Sequence, residues 1–133
     1  MTQRLRFAVG KLIRDGLPAM MRAQGLEVFE RRLDDADYAA ALRTKLLEEA
    51  EEAVRAPGRE ALVEELADVL EVILAIAAAE GIDPEDVEAA RLAKRDERGG
   101  FDGRIFNAAV EGDADLPAVA YYLARPEAYP REP

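Results

Sequence analysis

The segment from Ala61 to Ala79, ALVEELADVLEVILAIAAA, restricts the fold of this chain more than any other. Its only polar residues are acidic, and they are Glu64, Glu65, Asp68 and Glu71. A helix that is apolar nearly all round is usually interior. We therefore expect a helix over about residues 60–80, ended by Gly81 and packed inside a helical domain.

Two of the four acids point toward the apolar side of that helix. Successive helical residues turn by about 100°, so Glu64 and Glu71 share one narrow polar strip that reaches water. By the same arithmetic, Glu65 falls among branched apolar residues and Asp68 among alanines. A carboxylate in such surroundings costs several kcal/mol unless a cation compensates it.

The preceding predicted helix, over about residues 36–56, carries a second acidic pair. Its stretch KLLEEAEEAV puts four glutamates into five consecutive positions. Glu48 and Glu51 fall opposite the apolar arc, and Glu51 has an arginine four residues later, as a surface pair would. These two glutamates are predicted to be solvated. Glu49 and Glu52 instead fall at the edge of the apolar arc.

Both inward pairs have the spacing i, i+3, which keeps two side chains on one face of a helix. APG at 56–58 joins the helices by a short turn, so they should run antiparallel with the pairs facing each other. Four converging carboxylates repel unless divalent cations lie between them, and oxygen ligands select Mg²⁺ or Mn²⁺. The predicted metal ligands are Glu49, Glu52, Glu65 and Asp68.

A plainer interpretation stays open. In it, Glu49 and Glu52 are boundary residues, while Glu65 and Asp68 pair with basic groups. Two acidic pairs in corresponding positions on adjacent helices, with Glu65 so deep among apolar residues, favour the metal site over this alternative.

Composition limits the available chemistry. The 133-residue chain has no cysteine and no histidine, which excludes a disulfide framework, a thiolate nucleophile and imidazole ligands. Its net charge of -10 argues against coating a nucleic acid, because phosphate contacts need clustered Lys and Arg. The N-terminus lacks the apolar core of a signal peptide, and no apolar run is long enough for a membrane span. We expect one cytoplasmic domain, 1–133, without a membrane or nucleic-acid partner.

The remaining segments predict two more helices. Pro18 suits the first turn of a short helix that ends at Gln24. DPED at 83–86 starts a further helix to about Arg98. Residues 7–15 look extended, and residues 26–33 could form a lone strand or an extended arm. The proline-bearing tail, residues 121–133, looks irregular. The predicted fold class is therefore all-α, an antiparallel helical bundle.

Basic residues supply the opposite charge. Arg91, Lys94 and Arg98 share one narrow helical face, and for Arg91 surface pairing with an acidic neighbour is the plainer assignment. Beside a metal–carboxylate cluster, such a stripe suits phosphate recognition, because Lys and Arg bind the phosphate oxygens that Mg²⁺ leaves. The loop-like segment GKLIRDGLP adds Lys11 and Arg14.

The order of these motifs resembles a known superfamily. EAEE, twelve residues and then ELAD is similar to the ExxE–spacer–ExxD signature of the MazG-like, all-α nucleoside triphosphate pyrophosphohydrolases. The flanking stretches KLIRDGLP, EELADVLEVILAI and KRDERGGFDGRIF resemble its house-cleaning branch. The resemblance covers about residues 9–107, and it implies a four-helix bundle whose core is completed by oligomerisation.

This resemblance implies Mg²⁺-dependent cleavage of a nucleoside triphosphate, including non-standard or deoxy forms, to the monophosphate and pyrophosphate. It implies the same four metal ligands and makes Glu48 a candidate base for the attacking water. The phosphate contacts that it implies come from Lys45, Lys94 and Arg98, with Lys11 and Arg14 as further candidates. Members are usually dimers or larger, so a homo-oligomer is expected, and an apolar helix in so short a chain agrees.

Two alternatives accompany this assignment. Phosphoribosyl-ATP pyrophosphohydrolase of histidine biosynthesis suits KLLEEAEEAVRA nearly as well, although KLIRDGLP and ERGGF resemble the other branch. An acidic helical interaction module without chemistry explains the net charge but not the position of Glu65. A carboxylate cage should gain thermal stability from Mg²⁺, whereas an interaction module should not.

Overall fold

A computed structural model of the chain describes residues 2–133. Over that range the chain is all-helical and contains no strand. Its five helices are α1 (Leu17–Ala23), α2 (Asp35–Arg55), α3 (Arg59–Ala79), α4 (Pro84–Arg98) and α5 (Pro117–Leu123). The all-α prediction is confirmed, and the three long helices begin and end within about one residue of their predicted bounds. None of these helices is long and apolar enough to cross a membrane.

The chain forms two compact units, one that extends to Lys94 and one that comprises Arg95–Pro133. The first unit contains α1, α2, α3 and most of α4, whereas the second contains α5. The expectation of one domain over the whole chain stays a prediction.

The two longest helices, α2 and α3, form an antiparallel hairpin. Asp34 begins α2 as its N-cap, because its side chain accepts a hydrogen bond of 2.8 Å from the backbone N–H of Asp37. Residues 56–58 then turn the chain into α3. Among the helices of residues 2–133, α2 and α3 are the only two that pack on each other. A helical bundle is consistent with this arrangement, and the hairpin is its packed part within one chain.

The hairpin has a small core. Leu42 of α2 and Val72 and Ala77 of α3 are its buried apolar residues, and Glu49 is buried with them. Within a single chain α3 is not interior, since Leu70 is 56% exposed and most other large apolar residues of α3 are exposed or half-buried. The reason is that one chain covers α3 with only one other helix. The burial of α3 in a core completed by oligomerisation stays a prediction.

The helix α4 carries its charges on the surface. It packs against neither α2 nor α3. Arg91 pairs with Glu88 on the same helix, with Nε donating to Oε2 at 2.9 Å, so its predicted surface pairing is confirmed. Lys94 and Arg98 are both exposed.

The tail differs in part from its prediction. Residues 26–33 form neither helix nor strand, in agreement with the extended arm that was one of their two interpretations. Residues 121–123, however, belong to α5, so the expectation of an irregular tail is wrong there. The physical reason is aromatic packing inside the second unit, where the rings of Tyr122 and Tyr129 lie 4.9 Å apart and the Arg125 guanidinium covers the Tyr121 ring at 3.9 Å.

Candidate metal centre

Helical spacing puts two glutamates into the seam between α2 and α3. Glu49 follows the buried Leu42 by seven residues, and Glu65 precedes the buried Val72 by seven. Seven residues are close to two helical turns, so each glutamate lies on the same side of its helix as a core residue. Accordingly, Glu49 is only 7% exposed and Glu65 is half-buried.

Three carboxylates meet in this seam. One oxygen from each of Glu49, Glu65 and Asp68 lies within 4.8 Å of the other two. Antiparallel packing produces the arrangement, because it sets the acid of α2 against the i, i+3 pair of α3. Oxygens bound about 2–2.6 Å from one cation lie up to about 4–5 Å from each other. The spacing of this acidic cluster therefore suits a single shared cation.

Glu52 lies at the rim of the acidic cluster. The sequence predicts that it points inward beside Glu49, but its side chain is exposed. It still interacts with the cluster, because a hydrogen bond with Glu52 and its charge both help to raise the pKa of Glu49 and of Glu65. All four predicted ligands are thus neighbours, with Glu52 the most solvated.

Burial is the largest cause of the raised pKa at both Glu49 and Glu65. A hydrogen bond from Lys45 opposes the rise at Glu49. At Glu65, the neighbouring carboxylates of Glu52, Asp68 and Glu49 add to the effect of burial and raise the pKa further. These two carboxylates are therefore destabilised in their charged form, which a nearby positive charge would reverse.

Two buried oxygens lack a partner within the part of the chain that the structure describes. They are Oε2 of Glu49 and Oε2 of Glu65. A buried anionic oxygen without a hydrogen bond is costly, and a cation in the cluster would satisfy both atoms at once. Since every atom of the cluster that could bind a metal ion is a carboxylate oxygen, the residues fit Mg²⁺ or Mn²⁺.

Two lysines cover Glu48 next to this cluster. Lys11 Nζ lies 2.9 Å from Glu48 Oε1, and Lys45 Nζ lies 3.5 Å from the same oxygen and 3.4 Å from Glu49 Oε1. The side chain of Glu48 is consequently 21% exposed, so the expectation that it is solvated is wrong. The hydrogen bond from Lys11 is the main cause that lowers the pKa of Glu48. By contrast, Glu51 and Arg55 are exposed, with 3.9 Å between them, as predicted.

A guanidinium reaches the cluster from the N-terminal segment. Arg14 Nη2 donates a 2.6 Å hydrogen bond to Asp68 Oδ1. Three predicted phosphate contacts, from Lys11, Arg14 and Lys45, are therefore side chains adjacent to the acidic cluster. The phosphate roles of Lys94 and Arg98 on α4 stay predictions.

The sequence does not indicate which acidic residues Lys11 and Arg14 contact. Arg14 and Asp68 are 54 residues apart, and helical periodicity carries no information across the loop between them. The available signal was weak, namely two basic residues immediately before a helix that a proline begins.

Residues 22–95, more than half of the chain, match the family model for phosphoribosyl-ATP pyrophosphohydrolase. The chain belongs to this family, which lies within the MazG-like nucleotide pyrophosphohydrolase superfamily, and the predicted superfamily is confirmed. Searches of curated proteins and of solved structures found no match. The matched range contains both acidic pairs, whereas Lys11 and Arg14 lie outside it. Membership indicates pyrophosphohydrolase activity.

Proposed function

We propose that the chain hydrolyses a nucleoside triphosphate to the monophosphate and pyrophosphate with Mg²⁺ or Mn²⁺. The observation that carries this proposal is the pair of buried, unpartnered oxygens on Glu49 and Glu65 inside a cluster of three carboxylates. Such oxygens lower the stability of the cation-free fold, so a site that uses a cation explains why they are present.

The residues of the seam have different roles in this proposal. Glu49, Glu65 and Asp68 hold the cation, and Glu52 completes its ligands from the rim. The cation, when bound, supplies positive charge at the phosphate oxygens and makes the attacking water more acidic.

Glu48 is the candidate base beside these ligands. Its lowered pKa keeps it ionised at neutral pH, so it can accept a hydrogen bond from the attacking water and orient it. The same lowered pKa makes it a weak base, because proton affinity falls with pKa. Lys45 holds Glu48 in place and, with Lys11 and Arg14, directs positive charge toward the phosphates. Lys94 and Arg98 are proposed as further phosphate contacts.

We also propose that the chain works as a homodimer. The large apolar residues on the outer face of the hairpin include Val54, which is 87% exposed, and Leu70. Exposed apolar surface of this kind marks interaction sites, and a second hairpin packed on it would complete a four-helix bundle.

A second candidate substrate is phosphoribosyl-ATP. The family match favours it, because phosphoribosyl-ATP is the substrate in the family's description. The nucleoside triphosphate is supported instead by KLIRDGLP and ERGGF, which lie outside the matched range and resemble the house-cleaning branch.

Pyrophosphate release tests both candidates. Purified protein with Mg²⁺ is supplied with standard, deoxy and damaged nucleoside triphosphates and with phosphoribosyl-ATP, and Glu65→Gln protein serves as the background. We expect one pyrophosphate per monophosphate from at least one triphosphate, and faster turnover than with phosphoribosyl-ATP. Faster turnover of phosphoribosyl-ATP would reverse the choice of substrate. No release above the Glu65→Gln background from any compound would contradict the proposed activity.

A further inference from the structure

Internal cations already lie against the acidic cluster, and two of them contact candidate ligands. Lys45 contacts Glu49 at 3.4 Å from its own helix, and Arg14 contacts Asp68 at 2.6 Å from the N-terminal segment. Arg14 donates to Asp68 Oδ1, whereas Lys11 contacts Glu48, which is not one of the three clustered acids. Arg14 therefore competes with a metal ion for Asp68 in a way that Lys11 does not.

The backbone of Arg14 is held in place. Its carbonyl oxygen accepts a 3.0 Å hydrogen bond from the N–H of Leu17 at the start of α1. Ile13 beside it is half-buried, and Pro18 in the first turn of α1 is buried. The side chain, in contrast, is 58% exposed. The guanidinium thus extends from a fixed point with solvent around it, so it can change partner without refolding the segment.

A divalent cation in the cluster would change the balance at Asp68. The pair of Arg14 and Asp68 is largely solvated, and such pairs contribute little, about 0–1 kcal/mol. A cation shared by three carboxylates would attract Asp68 more strongly and would repel a guanidinium only a few ångströms away. At the same time, phosphate groups bound beside that cation are good partners for an arginine, which binds them with two hydrogen bonds.

Resting on the proposed function, we propose that Arg14 is an exchangeable internal counter-ion. It binds Asp68 in the cation-free protein, leaves Asp68 when a divalent cation binds the cluster, and then contacts the phosphates of the bound nucleotide. Cation binding therefore prepares the phosphate site in two ways, by its own charge and by the release of Arg14.

The first test is calorimetric titration with Mn²⁺ alone. Arg14→Gln should bind Mn²⁺ about 2–5-fold more tightly than the parent, since it removes a competing exposed ion pair. Lys11→Gln removes an equal charge near the cluster without freeing a clustered acid. Arg43→Gln removes a guanidinium of similar exposure, 55%, from its pair with Glu80 elsewhere on the hairpin. Both controls should change the affinity less than Arg14→Gln does.

The second test measures binding of inorganic pyrophosphate. With saturating Mg²⁺, Arg14→Gln should bind pyrophosphate about tenfold more weakly than the parent. The variant lacks the guanidinium that leaves Asp68 and binds phosphate in the parent. Without a divalent cation the two proteins should bind it equally weakly, because Arg14 is then held by Asp68. Circular dichroism of each variant confirms that the helices are retained.

The outcomes separate this proposal from the proposed function. A parent protein that does not bind Mn²⁺ would overturn both. If the parent binds Mn²⁺ and Arg14→Gln binds it no more tightly than Lys11→Gln does, the exchange is wrong and the metal site stands. Weaker Mn²⁺ binding by Arg14→Gln would also overturn the exchange, since it would make Arg14 a support for the metal ligands.

Discussion

The helices α2 and α3 each have one face that carries buried carboxylates and another face that carries exposed apolar residues. A single chain neither neutralises the carboxylates completely nor covers the apolar residues. On α2, Glu49 follows Leu47 by two residues, and on α3, Glu65 follows Val63 by two. Two helical residues are about 200° apart, so the acids and the exposed apolar residues lie on nearly opposite faces. The acidic face needs positive charge, and the apolar face needs more protein.

The two faces differ in how far the chain itself meets that need. Near the acidic face, Arg14 contacts Asp68 and Lys45 contacts Glu49. Even so, Oε2 of Glu49 and Oε2 of Glu65 have no hydrogen-bond partner in the described residues. On the apolar face, Leu70 and Val54 stay exposed. An ion is small enough to complete the first face, whereas only another helical surface is large enough to complete the second. Each face can therefore be disturbed separately.

The largest expected effect comes from the acidic face. Glu65→Gln keeps the shape of the side chain but removes a ligand charge, so pyrophosphohydrolase activity should fall by orders of magnitude. Metal-free thermal stability should not fall, because the pKa of Glu65 is raised by burial and by its acidic neighbours and the charge is therefore unfavourable there. Glu51→Gln, on the solvated side of α2, is the control and should change neither property. A Glu65→Gln protein that melts earlier but stays active per folded molecule would show that Glu65 is only structural.

A charge on the apolar face should give the next largest effect. Leu70→Glu should raise the dissociation constant of the homodimer about a hundredfold or more. Each of the two symmetry-related copies carries the substitution, so the interface loses apolar contact and buries an unpaired charge at two positions. Analytical ultracentrifugation at micromolar concentration measures it.

The control for this substitution is Leu5→Glu, which changes a leucine of similar exposure, 62%, in the segment that precedes α1. It should leave the assembly intact. A parent protein that sediments as a monomer at micromolar concentration would contradict the homodimer, and unchanged assembly of Leu70→Glu would place the interface elsewhere.

The parts of this structure that depend on local signals could be predicted from sequence. The cap at Asp34 and the proline at position 84 define helix starts, and Gly81, with its positive φ of 67°, follows the end of α3. The inward position of Glu65 was also predictable, because apolar residues surround it on its own helix.

The parts that depend on other segments could not be predicted. A helical wheel of α2 cannot show that Lys11, from outside the helix, covers Glu48. Nor does it show how many helices one chain packs around α3, which decides whether Leu70 is buried. The helix α5 was missed because its support comes from contacts of Tyr122 with Tyr129, which follows the helix.

A smaller effect is expected in the pH dependence of the cation-free protein. The folded state raises the pKa of Glu49 and Glu65, so their protonated forms favour folding. This contribution is complete below the unfolded-state pKa and is lost as the pH rises through the folded-state pKa. Glu48 acts in the opposite sense, since Lys11 lowers its pKa and its contribution is lost as the pH falls.

Comparison of variants isolates the contribution of Glu65. Urea unfolding midpoints with a chelator present, between about pH 4 and pH 8, should decline less steeply for Glu65→Gln than for the parent as the pH rises. Glu51→Gln should follow the parent. Parallel curves for all three proteins would show that Glu65 titrates as an ordinary solvated carboxylate.

The proposed divalent cation site in the seam between α2 and α3 can be observed by anomalous diffraction from crystals grown with Mn²⁺. We expect a strong anomalous peak about 2–2.6 Å from carboxylate oxygens of Glu49, Glu65 and Asp68, with the Arg14 guanidinium no longer on Asp68. A peak only at other carboxylates, or an unchanged seam with Arg14 still on Asp68 at saturating Mn²⁺, would contradict it.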